Sequence, residues 1–424
     1  MGVYHINGGR RLNGQLNVYG GKNAILPILA SVILNGSESI IHNCPKISDT
    51  DISIKILEEL GCAVKYDGYT MSVDSSSADI HSVSTTLMRE MRSSFIFLGG
   101  LLGRFHEVTI SYPGGCELGE RPINLHLEAL RKMGAEITEA SGFIKCKADD
   151  LKGARIDLSF PSVGATENIM LTAVLAQGET IIGNAAREPE IEDLQKFLNG
   201  MGAKVAGAGT SQVRIQGVKS LHRVEHTVMP DRIVAGTFLV AAAITGGKIL
   251  LKNAAPEHMF PITYKLSEAG CTLDMKEGSI YLEAPAKIRP IELLRTHPHP
   301  GFPTDMQPQF MSLLTLASGV SVISETVFES RNKHVAELKR MGANIILAQD
   351  GTTAVIKGVG KLHGAVVESK DLRGGAALIL AGLAAEGKTT VTRSRFVERG
   401  YIKIEQDLAK IGADITYEKA DDKA

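Results

Sequence analysis

The chain has 424 residues, of which 44% are apolar and 22% charged, a balance typical of a globular protein with two or three domains. Its formal net charge of -1 disfavours nucleic acid and anionic membranes as partners, so any anion must be bound by local clusters of Lys and Arg. We find no apolar run long enough for a membrane span and no secretory signal pattern at the start.

The five cysteines are scattered and form neither a CxxC pair nor a disulfide framework. They are Cys44, Cys62, Cys116, Cys146 and Cys271. An odd, scattered set of this kind indicates reduced thiols, so the sequence predicts a cytoplasmic protein.

An internal repeat organises the chain. The pattern Leu-x-x-x-Gly-small-x-apolar occurs six times, with its glycine at Gly61, Gly134, Gly202, Gly270, Gly342 and Gly412. Each copy is typical of the end of an amphipathic helix, where a glycine with a left-handed backbone follows the last turn.

Each repeat has the same predicted order of elements. It opens with an all-apolar stretch, such as NAILPILASVIL from Asn23, which is typical of a helix buried on every side. A strand follows, then the amphipathic helix, then one or two strands with alternating polar and apolar residues. In one such strand Ile144, Cys146 and Ala148 share a face.

The last repeat stops before its closing strands, and the first 21 residues resemble the missing part. We therefore expect the N-terminus to pair into the C-terminal half. The sequence predicts two domains of three repeats each, one over 22–229 and the other over 1–21 plus 230–424. The crossings fall near Gly20-Gly21 and Pro230, where glycine and proline suit hinges.

The starts of the six buried helices suit an anion site. Threefold packing would bring three helix N-termini together in each domain, and their free N–H groups carry partial positive charge. Lys22 and Arg92 strengthen that field, whereas Asp231, Asp305 and Asp371 suit capping, and we expect at least one of these acids to be only a cap. The starts are Lys22-Asn23, Met91-Arg92, Gly164-Ala165, Asp231-Arg232, Thr304-Asp305 and Asp371-Leu372-Arg373.

Cys116 differs from the other cysteines. It lies in YPGGCELGERP, residues 112–122, a glycine-rich insertion that makes the second repeat longer than its siblings. Such an insertion is typical of a functional loop, and a cysteine near Arg121 can be reactive, although an incidental exposed thiol stays the alternative. The remaining four occupy small apolar positions of the repeat and are predicted to be buried.

Several motifs together resemble the UDP-N-acetylglucosamine 1-carboxyvinyltransferase family of enolpyruvyl transferases. The likeness covers nearly the whole chain. It rests on GGKNAILP, PGGCELGERP, PSVGATENIM, HPGFPTDMQPQ, ETVFESR, DLRGGAAL and ERGY. The resemblance implies an α/β fold, the inside-out α/β barrel, with two domains of three repeated units and a cleft between them.

The resemblance also implies a role for each motif residue. Asp305 would meet the sugar 3'-hydroxyl and act with Cys116 in catalysis, while a set of cations would hold phosphoenolpyruvate, since Arg binds phosphate and carboxylate through two hydrogen bonds. The implied cations are Lys22, Arg92, Arg121, Arg373 and Arg399. Further implied contacts with substrate are Asn23, Pro122, Ile123, Asn124, Leu125, Ser162, Val163, Gly164, Val327, Arg331 and Asp371.

The implied reaction is addition followed by elimination, with Asp305 as proton acceptor and Cys116 as proton donor. No step needs an electron sink and no ligand cluster appears, so we expect neither a cofactor nor a metal. The expected partners are two small molecules, phosphoenolpyruvate and UDP-N-acetylglucosamine, with no nucleic acid and no membrane. Two alternatives stay open: 5-enolpyruvylshikimate-3-phosphate synthase, which shares the donor, and a catalytically idle paralogue that binds the UDP-sugar.

Overall fold

The computed structural model describes residues 2–114 and 123–419, so Cys116, Arg121 and Pro122 lie outside the described residues. The described chain divides into two compact units. We name them after one residue each: the Lys22 unit comprises residues 20–114 and 123–229, and the Asp305 unit comprises residues 2–19 and 230–419.

The chain begins with two strands that belong to the Asp305 unit, β1 (Gly2–Asn7) and β2 (Asn13–Asn17). The Lys22 unit then follows. Its elements are α1 (Lys22–Ser31), β3 (Glu38–His42), α2 (Ser48–Glu59), β4 (Ala63–Asp67), β5 (Thr70–Asp74), α3 (Thr85–Glu90), α4 (Phe97–Phe105), β6 (Glu107–Ser111), α5 (Asn124–Lys132), β7 (Glu136–Ala140), β8 (Phe143–Lys147), β9 (Arg155–Asp157), α6 (Val163–Ala173), β10 (Glu179–Gly183), α7 (Pro189–Gly200), β11 (Lys204–Ala206), β12 (Gln212–Gln216) and β13 (Val224–Thr227).

The rest of the Asp305 unit repeats the same alternation of helices and strands. Its elements are α8 (Arg232–Ile244), β14 (Lys248–Lys252), α9 (Phe260–Glu268), β15 (Thr272–Lys276), β16 (Ser279–Glu283), β17 (Leu293–Arg295), α10 (Gln307–Leu314), β18 (Val320–Ser324), α11 (Val335–Arg340), β19 (Asn344–Leu347), β20 (Thr353–Lys357), β21 (Val366–Glu368), α12 (Leu372–Ala384), β22 (Lys388–Thr392), α13 (Ile404–Lys410) and β23 (Asp414–Lys419). Short 3-10 helices cover Val32–Asn35, Arg92–Ile96, Pro256–His258, Thr304–Met306, Arg331–His334 and Ser394–Arg399.

The sheets share one topology. In the Asp305 unit the strand orders are β2-β14-β16-β15, β17-β18-β20-β19 and β21-β22-β1-β23. In each, the first pair is parallel and the others are antiparallel. The position that β16 and β20 hold is taken in the third sheet by β1, so the start of the chain supplies the strand that follows β23.

The sheets of the Lys22 unit follow the same plan. Their orders are β13-β3-β5-β4, β6-β8-β7 and β11-β12-β10-β9. The second sheet has three strands. At the position where the other two sheets have a parallel edge strand, it has a single parallel bridge between Ser82 and Thr109 of β6. This topology places the helix that precedes each central strand in the interior of its unit.

These inner helices are buried, as the sequence predicts. Every residue of α8 and of α10 is buried, and α1 and α6 are almost entirely so. They contribute to two apolar cores, one in each unit. Among the described residues no helix combines the length and the apolar character that crossing a membrane requires.

The predicted helix ends are confirmed. The six repeat glycines all have positive φ, from 93° at Gly61 to 105° at Gly412, a left-handed conformation that costs a residue without a β-carbon little. The predicted strand face is also confirmed, because Ile144, Cys146 and Ala148 are all buried.

Two of the predicted helix starts differ in detail. Arg92 and Asp305 lie in 3-10 helices, and regular α-helix begins only at Phe97 and Gln307. A 3-10 turn is common at the start of a helix, where the first N–H groups have no partner within the helix.

Candidate active site

Asp305 lies between two arginines in the Asp305 unit. Its Oδ1 accepts a hydrogen bond from Arg331 Nη2 at 2.9 Å, and its Oδ2 accepts from Arg373 Nε at 3.2 Å and Nη2 at 3.0 Å. The arginine side chains are only 1% and 2% exposed, against 25% for that of Asp305. Buried charge-assisted bonds of this kind are short and directional, so the three side chains form one charged group.

Asp371 holds the helix that carries Arg373. Its Oδ1 accepts from the backbone N–H groups of Arg373 and Gly374 at 3.1 and 2.9 Å, which makes it the N-cap of α12. Asp231 caps α8 in the same way. Asp305 makes no cap, because its carboxylate binds the arginines instead. Two of the three acids therefore cap helices.

The Arg373 guanidinium is charged under all ordinary conditions. Burial by itself lowers its pKa, but the Asp305 carboxylate, followed by Tyr401 and Asp231, raises the pKa above its usual value. Its Nη1 has no hydrogen-bond partner among the described residues. Asp305 and the Tyr401 hydroxyl hold the guanidinium in its charged form.

Glu325 fixes the chain on the other side of Asp305, and the sequence did not single it out. Its carboxylate is buried and accepts from the hydroxyls of Thr296 and Thr304, both at 2.9 Å, and from the N–H of Val327 at 2.8 Å. It thus ties two predicted site segments together. Its place two residues before Val327 in the ETVFESR motif was the available signal.

Buried polar atoms without a hydrogen-bond partner concentrate around this group. Seven such side-chain atoms belong to six described residues near the starts of α10 and α12. Because such atoms are rare in folded proteins, their clustering is typical of a site that binds a polar ligand. The six residues are Gln307, Gln309, Arg331, His334, Asp371 and Arg373.

Lys22 is the first residue of α1 in the Lys22 unit, and it is not a solvated charge. Its Nζ lies 2.6 Å from Oδ2 of Asp49, and the two side chains are 10% and 0% exposed. Asp49 is in the first turn of α2, where an acidic residue is common because it interacts favourably with the helix dipole. Because that position explains Asp49 on its own, nothing in the sequence indicated that Asp49 orients Lys22.

Arg92 and Ser162–Gly164 lie around one histidine of the same unit. Burial, and then the positive charge of Arg92, lower the pKa of His126 to about 4. A β-carbon on Gly164 would lie 3.2 Å from the His126 ring, and Asn168 lies 2.8 Å from its Nδ1. The structure thus brings Ser162, Val163 and Gly164 beside α5, whose first residues are Asn124 and Leu125.

The remaining predicted residues are less tightly held. Asn23 is partly exposed in α1, Ile123 precedes α5, and Val327 lies in the loop after β18. Arg399 ends the 3-10 helix Ser394–Arg399 and is half-buried. Its neighbour Gly400 lies close to Arg373, since a β-carbon there would be 3.4 Å from Nη1.

The four described cysteines are buried, as predicted. Burial raises the pKa of Cys62 to about 11 and that of Cys44, Cys146 and Cys271 to about 12. These thiols are therefore protonated and poorly nucleophilic at neutral pH. Within residues 2–114 and 123–419, no group of three or more His, Cys, Asp or Glu side chains is arranged to hold a metal ion.

Comparison with known proteins defines the class. The family model described as EPSP synthase (3-phosphoshikimate 1-carboxyvinyltransferase) matches residues 6–408. The fold is shared with the enolpyruvyl transferase NikO from Streptomyces tendae, at a TM-score of 0.89 and 26% identity over 99% of both chains. An EPSP synthase from Acinetobacter baumannii has the same fold at a TM-score of 0.75 and 20% identity, over 99% of this chain and 100% of that one. The chain belongs to the EPSP synthase family of enolpyruvyl transferases.

Curated relatives within this family carry a narrower name. UDP-N-acetylglucosamine 1-carboxyvinyltransferase 2 from Caldanaerobacter subterraneus subsp. tengcongensis is 51% identical over 98% of this chain and 99% of its own. UDP-N-acetylglucosamine 1-carboxyvinyltransferase from Geotalea uraniireducens is 50% identical over 97% and 98%.

Proposed function

We propose that this chain transfers the enolpyruvyl group of phosphoenolpyruvate to the 3'-hydroxyl of UDP-N-acetylglucosamine and releases phosphate. The observation that carries the proposal is the Asp305 carboxylate held between two buried arginines, in the motif that the family resemblance assigns to the sugar hydroxyl. Two relatives that are about 50% identical to this chain over nearly its whole length are named for this activity. The reaction would be the committed step of peptidoglycan synthesis, and we place it in the cytoplasm.

In the proposed reaction, the sugar oxygen attacks C2 of phosphoenolpyruvate while Asp305 takes the hydroxyl proton and Cys116 gives a proton to C3. The product is a tetrahedral ketal. Cys116 then removes a proton from C3 as the bond from C2 to the phosphate oxygen breaks, which restores the alkene. The proton held by Asp305 leaves with the phosphate, so protons balance over the cycle.

The arginines give Asp305 two states in this scheme. Arg331 and Arg373 both donate hydrogen bonds to the Asp305 carboxylate and so favour its anionic form. Phosphoenolpyruvate carries anionic groups that compete for the same guanidinium donors. Its binding would loosen their hold on Asp305 and so make the carboxylate basic when both substrates are present.

We assign the other predicted residues to substrate binding. Lys22, oriented by Asp49, would join Arg92, Arg121, Arg373 and Arg399 in holding the anionic groups of phosphoenolpyruvate. The nucleotide sugar would contact Ser162–Gly164 and the start of α5, together with Val327 and Arg331. The anchored position of Lys22 and the placement of Ser162–Gly164 against His126 support these roles.

A phosphate-release assay with each acceptor tests the proposal. We expect release with phosphoenolpyruvate plus UDP-N-acetylglucosamine and none with shikimate 3-phosphate as acceptor. Release only with shikimate 3-phosphate would identify the chain as an EPSP synthase. Binding of the nucleotide sugar in calorimetry without any release would identify an idle paralogue.

A further inference from the structure

Three buried polar side chains form a hydrogen-bonded cluster next to Asp305 and Arg373. Thr237 of α8, Gln309 of α10 and Tyr401 come from three separate segments, and all are at most 2% exposed. The Thr237 Oγ1 lies 2.9 Å from the Tyr401 hydroxyl and 3.2 Å from Gln309 Nε2. Burying polar side chains is costly unless they form hydrogen bonds with one another. A buried cluster of three such side chains therefore suggests a specific role.

The direction of the hydrogen bonds follows from counting protons. Thr237 donates its single hydroxyl proton to the backbone carbonyl of Ile233 at 2.8 Å. With this proton used at Ile233, we assign the Tyr401 hydroxyl as the donor to the Thr237 oxygen, 2.9 Å away. Gln309 Nε2 has two protons for three neighbours, and the nearer two acceptors are Asp305 O and Thr237 Oγ1, with the Tyr401 oxygen farther away at 3.4 Å.

These side chains contact both Asp305 and Arg373. Gln309 Nε2 also donates to the main-chain oxygen of Asp305 at 3.0 Å. The Tyr401 ring lies against Arg373, whose guanidinium carbon is 5.6 Å from the ring centroid, within the range of a cation–π contact. Both Asp305 and the arginine that holds it are thus supported by the same tyrosine.

We propose that Tyr401 is a positioning residue, whose hydroxyl, through Thr237 and Gln309, fixes the main chain at Asp305 while its ring fixes Arg373. This inference rests on the proposed function. Tyr401 touches no substrate in this role. Because a shift of 1 Å in a reacting group costs on the order of a hundredfold in rate, loss of the hydroxyl should reduce turnover more than substrate binding.

Tyr401→Phe tests the role of the hydroxyl, and Tyr19→Phe is the matched control. Tyr19 is also buried, and its hydroxyl accepts from the N–H of Ile402 at 3.0 Å, next to Tyr401 but outside the cluster. We expect Tyr401→Phe to lower kcat about tenfold or more. The Kd for UDP-N-acetylglucosamine, measured by calorimetry, should stay within about twofold. Tyr19→Phe should retain wild-type kcat after correction for folded protein.

A second pair covers the case in which Tyr401→Phe does not fold. Thr237→Val removes the oxygen that Tyr401 donates to, whereas Thr237→Ser keeps it. We expect Thr237→Val to reduce kcat as Tyr401→Phe does and Thr237→Ser to restore most of it.

Equal rates in the two Thr237 variants, or wild-type kcat in Tyr401→Phe, would overturn the positioning role. So would a kcat loss matched by an equal loss in folded fraction. These outcomes are distinct from failure of the proposed function, in which the wild-type chain itself releases no phosphate with this substrate pair.

Discussion

At the scale of single residues, the main feature of the candidate site is a set of ion pairs with little solvent exposure. Asp305 with its two arginines and Lys22 with Asp49 each bury opposite charges within hydrogen-bond distance. Such pairs contribute little net stability, because desolvation offsets attraction. Their expected role is to fix charged side chains in the positions that bind substrate. Single substitutions test this role.

We expect Arg373→Ala to weaken phosphoenolpyruvate far more than the nucleotide sugar. Loss of a charge-assisted pair from a desolvated site costs roughly 2–5 kcal/mol, and this change also leaves Asp305 with one arginine. Arg399→Ala should act in the same direction. Titration calorimetry with each ligand measures the effect, and an equal loss for both ligands would contradict the assignment to phosphoenolpyruvate.

The Cys116 thiol should be the site of attack by an epoxide phosphonate such as fosfomycin, with nucleotide sugar speeding the reaction. The four described cysteines are buried with raised pKa values, so they serve as internal controls. Cys116→Ala should lose labelling and most turnover, and Cys116→Asp should keep some turnover but escape the epoxide. Peptide mapping that finds the label on Cys62 or Cys271 would refute this role.

At the scale of elements, the inner helices pack with backbones in close approach. A β-carbon at Gly100 of α4 would lie 2.5 Å from the Ala30 carbonyl oxygen of α1, nearer than any real contact of this kind. Glycine is thus required there so that α4 can lie against the helix that begins at Lys22.

Gly100→Ala should therefore destabilise the protein by about 1–3 kcal/mol, the usual cost of overpacking. Gly360→Ala is the control, because a β-carbon there has no neighbour within 4 Å and its φ is not left-handed. Chemical denaturation measures both. A free energy of unfolding that falls equally in both variants would show that the contact between α1 and α4 is not the cause.

At the scale of the whole molecule, each unit contains a histidine whose pKa is strongly lowered, and this links stability to pH. Burial, and then nearby Arg92, lower the pKa of His126 to about 4. Burial also lowers the pKa of His334 to about 4; Asp371 opposes this and Arg331 adds to it. The ordinary value is near 6.5.

Between pH 4 and 6.5 the unfolded chain therefore binds more protons at these two residues than the folded chain does. Their contribution to stability is complete above pH 6.5 and is lost as the pH falls through this window, by up to about 1.4 kcal/mol per pH unit for each histidine. Unfolding by urea at several pH values should show a shallower pH dependence in His126→Gln and in His334→Gln. Exposed His222→Gln is the control, and an unchanged slope in the two test variants would contradict the linkage.

Much of the architecture follows from the sequence, because its signals are local. The repeat glycines mark the helix ends, the all-apolar runs mark buried helices, and the small repeat positions mark the buried cysteines. Each depends on a few neighbouring residues and on their periodicity. The motifs around Asp305, Arg331 and Arg373 likewise mark candidate site residues and the enolpyruvyl transferase family.

Only the tertiary structure decided how these residues contact one another. Arg373 lies 68 residues from Asp305, and Tyr401 lies 164 residues from Thr237, so no local pattern predicts either contact. The same holds for Asp49, whose place in a first helical turn suggests only a favourable charge at the start of α2. Which buried charge faces which is set by the packing of helices from different repeats, because that packing decides where each helix start and its side chains lie.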